Sequence, residues 1–265
     1  MRTVLVTGSA DGIGRHAAAQ LIAGGHRVIV HARNEDRAAD AKAALPGAAG
    51  VAVGDLSSLA GTTTLAGSLR AYGRLDAVVH NAGIARLDSS ERELTGDGLE
   101  SMFQGNVLAP YLLTALLPQP GRLVFVSSAM AAAGVVDLAD LQFDRRPWNG
   151  GTAYSTTKLL DLMLAVAIAR RWPSTLSNAL DPGWVRTRMG GDIAPTDPED
   201  AAAAEVRLAT GTGPGVQVTG RYFTDRDWQP DGTVLDPALL EALLAHCADL
   251  TGVQLPGDEQ GGPAA

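Results

Sequence analysis

Thr3-Val4-Leu5-Val6-Thr7-Gly8-Ser9-Ala10-Asp11-Gly12-Ile13-Gly14 is the stretch from which the rest of the chain is read. Thr3–Val6 is a short β-branched run, which favours a strand. Gly8, Gly12 and Gly14 follow, and apolar residues then recur at helical spacing over 13–23. A strand that enters a helix through a glycine-rich turn opens a βαβ unit. Glycines there permit a tight turn and let amide N–H groups approach an anion, to which the helix N-terminus adds favourable potential. A turn that needs only positive φ would look the same. Its place directly after the first strand is what points to a dinucleotide phosphate.

Working outward, Gly24-Gly25 ends the first helix and residues 27–31 read as a second strand. Asn34 can cap a helix running to about Leu45, closed by Pro46-Gly47. Gly50–Val53 is a third strand, a helix follows over about 58–71, and 75–80 is the fourth strand. Successive βα units require crossover connections and hence parallel strands. The expected fold is therefore α/β, a Rossmann-type doubly wound parallel sheet of about seven strands with helices on both faces. Past a loop at 85–95, a helix is expected over 97–117 with a break near Gly105, then a strand at 122–127 and an irregular stretch at 134–151. A helix opens at Tyr154, and a strand at 175–180, a helix at 198–209, a short strand near 221–224 and a last helix at 236–250 complete the pattern. No linker or solenoid-period repeat divides it. A single dinucleotide-binding and catalytic domain is expected over 1–255, with the Gly/Pro-rich 256–265 as a disordered tail.

The 265 residues are 46% apolar and 19% charged, as in a globular protein, with a net charge of −8 and no Lys/Arg cluster, so nucleic acid is not expected as a partner. Cys247 is the sole cysteine, which excludes an intrachain disulfide and fits a reducing compartment; within an apolar helix it reads as an inert thiol. The first strand leaves no room for a signal peptide, and Asp161 interrupts the longest apolar run. The expectation is a cytoplasmic protein with no membrane partner.

The candidate chemistry lies in Tyr154-Ser155-Thr156-Thr157-Lys158, at the head of a long apolar run. Residues four apart share one helix face, so the Tyr154 hydroxyl and the Lys158 ammonium can project into the same space. A cation beside a phenol favours the phenolate, which makes Tyr154 a candidate general acid or base. The same five residues could also be an ordinary helix start with an exposed lysine. No His/Cys/carboxylate cluster has metal-ligand spacing.

Taken in order, the glycine turn from Thr7 to Gly14, Asn81-Ala82-Gly83, Asn106, Ser128, Tyr154-x-x-x-Lys158 and Pro182-Gly183-x-x-x-Thr187 resemble the motifs of the short-chain dehydrogenase/reductase family. The resemblance spans 2–250. The long interval between Ser128 and Tyr154, Gly220-Arg221-Tyr222-Phe223 and Cys247-Ala248-Asp249-Leu250 resemble its retinol-dehydrogenase-like branch. It implies a carbonyl–alcohol oxidoreductase in which the nicotinamide carries the hydride and a small-molecule carbonyl or alcohol is the substrate. Tyr154 would transfer the proton, Lys158 would assist it and bind the nicotinamide ribose, and Ser128 would donate to the substrate oxygen. Asn106 would order a water beside Lys158. Ser127 and Ser128 cannot both face the site if the strand continues, and Ser128 matches the family position.

For the cofactor, the resemblance implies contacts from Gly8, Ser9, Asp11, Gly12, Ile13 and Gly14 in the turn, from Asn81, Ala82 and Gly83, and from Tyr154 and Lys158. Asp55 and Leu56 would meet the adenine, although Asp55 could equally be a local cap, and Pro182, Gly183, Val185 and Thr187 would hold the nicotinamide. No carboxylate ends the second strand; Arg33 stands there instead and can pair with a 2′-phosphate, which favours NADP(H) over NAD(H). Asp11 argues the other way. Arg86, Arg145, Arg146, Arg186 and Arg188 in the flanking loops could meet an acidic substrate or only solvent. The apolar helix after Tyr154 could cover the sheet or a second copy of the chain, so a homo-oligomer is an open expectation. Two other readings fit the pattern less fully: a dinucleotide-binding redox sensor without catalysis, and an imine or C=C reductase on the same scaffold.

Overall fold

The computed structural model describes residues 1–258. Its strands are β1 (Thr3–Val6), β2 (Arg27–Ala32), β3 (Gly50–Val53), β4 (Ala77–His80), β5 (Arg122–Val126), β6 (Leu176–Leu180) and β7 (Tyr222–Phe223). All pair in parallel, in the order β3-β2-β1-β4-β5-β6-β7. This is the expected doubly wound sheet, and the order reverses between β1 and β4, where a crevice opens outside the strand ends. Side chains alternate between the sheet faces. Val4 and Val6 pack with Ala17, Leu21 and Leu208, whereas Leu5 joins Leu65, Leu108 and Leu160 on the other side. Both faces are covered, so Val4–Val6 of β1 and Val28–Val30 of β2 can be continuous apolar runs.

One layer consists of α1 (Gly12–Ala23), α2 (Glu35–Ala44) and α7 (Pro198–Thr210). The opposite layer holds α3 (Leu59–Leu69), α5 (Ala109–Leu116), α6 (Gly150–Arg171) and α8 (Pro237–Thr251). The helix expected from 97 starts later, as a short α4 (Ser101–Phe103) capped by the Glu100 carboxylate. The Asp97 carboxylate accepts instead from the Leu59 amide, a partner 38 residues away. The break near Gly105 is a π-helical segment, Gln104–Leu108, continuous with α5. Pro110 has no amide hydrogen to offer Asn106, so the regular ladder cannot run through this turn.

Helix α6 opens at Gly150, capped by Asn149, and only Thr152, Arg170 and Arg171 of its residues are exposed. It is enclosed by β5, β6 and α8, so its all-round apolar pattern is accounted for inside one chain. Among the described residues no helix is long and apolar enough to cross a membrane. Trp172 donates its indole N–H to the Pro256 carbonyl at 2.8 Å, and Asp258 accepts from Ser174 at 2.6 Å, so the segment expected as a tail begins held. Its remainder, 259–265, lies outside the described residues.

Glu205 is a misfit in the α1–α7 layer. It is fully buried on α7, with no hydrogen-bond partner for either carboxylate oxygen, and burial pushes its pKa up to about 8. A raised folded pKa means stability that is intact below the unfolded value of 4.5 and lost as pH rises through 8. The penalty is about 5 kcal/mol once the carboxyl ionises. Urea unfolding from pH 5 to 9 is expected to show wild type losing stability relative to Glu205→Met as pH rises, the other titrating groups being common to both curves. A wild-type curve parallel to the variant would refute this.

Candidate active site

The β1–α1 turn is shaped by two glycines in the left-handed region, Gly8 at φ +65 and Gly12 at φ +53. The segment that follows β4 packs directly against it. A Cβ on Gly14 would collide with the Asn81 side-chain amide, and one on Gly8 would come within 2.9 Å of the Ala82 Cα. Asn81 donates to the Thr7 carbonyl at 2.8 Å and the Ala82 amide donates to Thr7 Oγ1 at 3.0 Å. Small residues on both sides thus leave a backbone cradle at the mouth of α1, which fits a pyrophosphate.

The cradle forms one end of a cleft of about 1340 Å³. A single small-ligand pocket rarely exceeds about 1000 Å³, so a dinucleotide and a second molecule can share this one. Gly8, Asp11, Gly12, Ile13, Arg33, Asp55, Leu56, Asn81, Ala82, Gly83, Ser128, Tyr154, Lys158, Pro182, Gly183, Val185 and Thr187 all line it. Ser9, Gly14 and Asn106 do not. Ser9 turns inward, donating to the Val6 carbonyl at 2.7 Å and accepting from the His31 amide at 2.9 Å. Gly14 serves the close packing on Asn81. Asn106 sits in the π segment, its side chain bonded to both backbone groups of Ile84 at 2.8 and 2.9 Å and to Thr157 Oγ1 at 3.0 Å. It clamps the 83–84 segment to α6 beside Lys158.

Tyr154 is 8% exposed, and its hydroxyl donates to Met189 Sδ at 3.8 Å. The Lys158 ammonium lies 5.8 Å from the centre of the Tyr154 ring. It donates to the Val126 carbonyl at 2.9 Å and to Asp161 Oδ2 at 2.8 Å, with both side chains of this pair buried. Burial is the largest single influence and opposes the ammonium, but Asp161 and the Tyr154 phenol together outweigh it and the Lys158 pKa is raised. Burial likewise pushes the Asp161 carboxyl above the usual carboxylate range, with Lys158 countering only in part. The pair is charged at neutral pH. Asp161 was visible in the sequence only as a charge interrupting an apolar helix, and its distance of three residues from Lys158 was the signal.

Ser128 faces the cleft, its backbone carbonyl held by the Tyr222 hydroxyl at 3.0 Å. Ser127 is buried and donates to the Lys158 carbonyl at 2.6 Å, so its hydroxyl is committed to α6 although the residue also lines the cleft. Gly183 is left-handed at φ +81, its amide held by Asp181 at 2.9 Å. Thr187 Oγ1 accepts from the Gly190 amide at 3.2 Å. The Asp55 carboxylate caps the Ser57 amide at 2.9 Å while still lining the cleft.

At the β2 end of the cleft Arg33 makes no ion pair among the described residues, and Arg37, in the first turn of α2, lines the same cleft. Asp11 caps α1 through the Gly12 amide at 2.8 Å and is paired with Arg37 at 3.5 Å and Arg188 at 2.6 Å, which offsets its charge. The loop arginines are likewise engaged: Arg86 with Glu93 at 2.6 Å, Arg146 with Asp140 at 3.5 Å, Arg186 with Asp197, and Arg145 with the Ala139 carbonyl at 2.6 Å.

The family profile described as short chain dehydrogenase matches residues 2–198. An uncharacterised oxidoreductase of Emericella nidulans is 40% identical over 261 residues, covering 97% of this chain and 100% of that one. Retinol dehydrogenase 14 of Homo sapiens is 33% identical over 268 residues, covering 84% of this chain and 78% of its own. A solved structure, an uncharacterised protein from Mycobacterium paratuberculosis, superposes with a TM-score of 0.81 at 27% identity, over 97% of this chain and 95% of that one.

Proposed function

The chain belongs to the short-chain dehydrogenase family and is an oxidoreductase acting on a small molecule, and from that premise we propose that it uses NADP(H) to interconvert a carbonyl and an alcohol. The observation that carries this reading is the meeting of Tyr154, Lys158 and Ser128 in one cleft with the glycine cradle. Bound nicotinamide supplies or accepts the hydride. Tyr154 Oη gives its proton to the substrate oxygen in reduction and takes it back in oxidation. Lys158 has three N–H bonds, and two are committed to Val126 and Asp161. The third is available to the cofactor ribose and keeps a positive charge near the phenol. The Ser128 hydroxyl donates to the same substrate oxygen as charge develops there. Retinol dehydrogenase 14, by its name, acts on an alcohol, which agrees with this direction of chemistry. Met189, within reach of Tyr154 Oη, has to yield its place to the substrate oxygen.

The deciding experiment offers aldehydes, ketones and alcohols to the purified protein with NADP(H) and NAD(H), read at the nicotinamide absorbance. Turnover of at least one pair supports the proposal; no turnover together with no binding of either nucleotide overturns it. The phosphate preference rests on Arg33 and Arg37. Replacing either by Ala is expected to weaken NADPH about 10-fold to 100-fold, as loss of a charge-assisted phosphate contact does, and to leave NADH within about twofold. Fluorescence titration with both nucleotides checks this, and equal losses for the two would refute the assignment.

A further inference from the structure

His31, the penultimate residue of β2, lies among backbone groups of the glycine turn, and its ring makes two bonds with opposite demands. The Gly8 amide donates to Nδ1 at 2.9 Å, and Nε2 lies 2.8 Å from the Gly54 carbonyl. An amide can only donate and a carbonyl can only accept, so Nδ1 carries the lone pair and Nε2 the proton. Only the neutral imidazole in this tautomer satisfies both. Ser9 completes the frame by accepting from the His31 amide and donating to the Val6 carbonyl. The ring is 3% exposed, and it ties the left-handed Gly8 to the chain leaving β3. A proton on Nδ1 would set two N–H groups against each other and release Gly8.

We propose that His31 is a positioning residue for the cofactor: its neutral imidazole holds the Gly8 amide so that the turn keeps its pyrophosphate-binding shape, and protonation or removal of the ring loosens the nucleotide. The inference rests on reading the Gly8–Gly14 turn as the dinucleotide site. Burial lowers the His31 pKa, while the Gly54 bond and then the nearby Asp55 carboxylate favour the proton. The turn faces the ring with the Gly8 amide, and the chain after β3 faces it with the Gly54 carbonyl, so Asp55 is the acid bearing on it. The sign follows from the lowered value. Because the folded free chain already holds the ring neutral, it takes up the proton only below the ordinary histidine value of about 6.5, and where it does so NADP(H) affinity falls.

NADPH is titrated by fluorescence into full-length wild type, His31→Asn and His31→Phe between pH 8 and pH 5. Asn can still accept from Gly8 near the Nδ1 position but cannot titrate; Phe keeps the ring and loses both bonds. The NADPH 2′-phosphate itself titrates near pH 6, so the informative quantity is the difference between wild type and the Asn variant, repeated with NADH, which lacks that phosphate. At pH 8 the Asn variant is expected to bind within about threefold of wild type and the Phe variant about 10-fold or more weaker. Toward pH 5 wild type alone should lose affinity relative to the Asn variant, approaching about 10-fold per pH unit once His31 takes up the proton. Equal pH curves for wild type and Asn, or wild-type affinity in the Phe variant, would overturn the proposal even if turnover persists. If wild type binds neither nucleotide at any pH, the dinucleotide reading itself fails and His31 with it. Should the Phe variant not fold, the wild-type and Asn curves still decide.

Discussion

Replacing Tyr154 with Phe is expected to leave a folded protein that binds NADPH within about fivefold of wild type and has lost carbonyl turnover by about 10³-fold. The stability half follows from what the hydroxyl touches. Tyr154 packs its ring with Met102, Phe143 and Ala153, and its hydroxyl has Met189 Sδ as its hydrogen-bond partner at 3.8 Å. A contact that long and weak holds little of the fold, and Phe retains the ring packing. The activity half follows from the role: a positioned proton donor contributes about 10²-fold to 10⁴-fold, and no second donor of matching strength stands beside it, since Ser128 can donate a hydrogen bond but cannot carry charge away. The cofactor half separates catalysis from assembly, because the glycine cradle and the arginines lie at the other end of the cleft. Near-normal turnover by the Phe variant would move the proton transfer to another group, and loss of NADPH binding would show that Tyr154 builds the cleft rather than working in it.

Much of this could be read from the chain because the relevant interactions are local. Strand β1, its glycine turn and α1 are neighbours in sequence, and the helical spacing of Tyr154 and Lys158 survives folding unchanged. What escaped reading depends on contacts between distant segments. Asp97 resembles a helix cap, but the Leu59 amide from another element takes its carboxylate, and Glu100 caps α4 instead. Gly150 and Gly151 look like breakers ahead of Tyr154, yet α6 runs through both. Gly150 is there because a side chain would collide with the Arg86 carbonyl, so its absence is a packing requirement and not a stop signal. The inward turn of Ser9 and the ring of His31 depend on β2 lying beside β1. Arg37 was accessible in principle only as a basic residue in the first turn of α2, and its reach back to Asp11 depends on α2 lying beside the glycine turn.

Asp161 separates two explanations of why Lys158 works. If Lys158 needs only to be present, changing Asp161 to Asn should matter little, since Asn keeps an acceptor in the same place. If the carboxylate charge is what keeps a buried ammonium protonated, the variant must shift the pH dependence. Burial alone lowers the Lys158 pKa, and the charge of Asp161 is the largest influence that raises it. Once that charge is gone, the ammonium gives up its proton at lower pH. The alkaline fall of kcat/KM in Asp161→Asn is therefore expected at least about one unit below wild type. Asp161→Ala goes further, because it removes both the charge and the 2.8 Å acceptor. Breaking a buried pair from one side costs about 3–5 kcal/mol, so this variant should unfold at markedly lower urea and lose turnover at every pH. Lys158→Met is the milder lesion for the fold, since the orphaned carboxyl, already raised by burial, can neutralise itself by taking a proton. The expected order of stability is wild type, then Lys158→Met, then Asp161→Ala, measured by urea unfolding at pH 7. An Asn variant with an unmoved alkaline limb would make Asp161 a spacer, and an Ala variant as stable as wild type would mean that Lys158 never held its charge in the closed site.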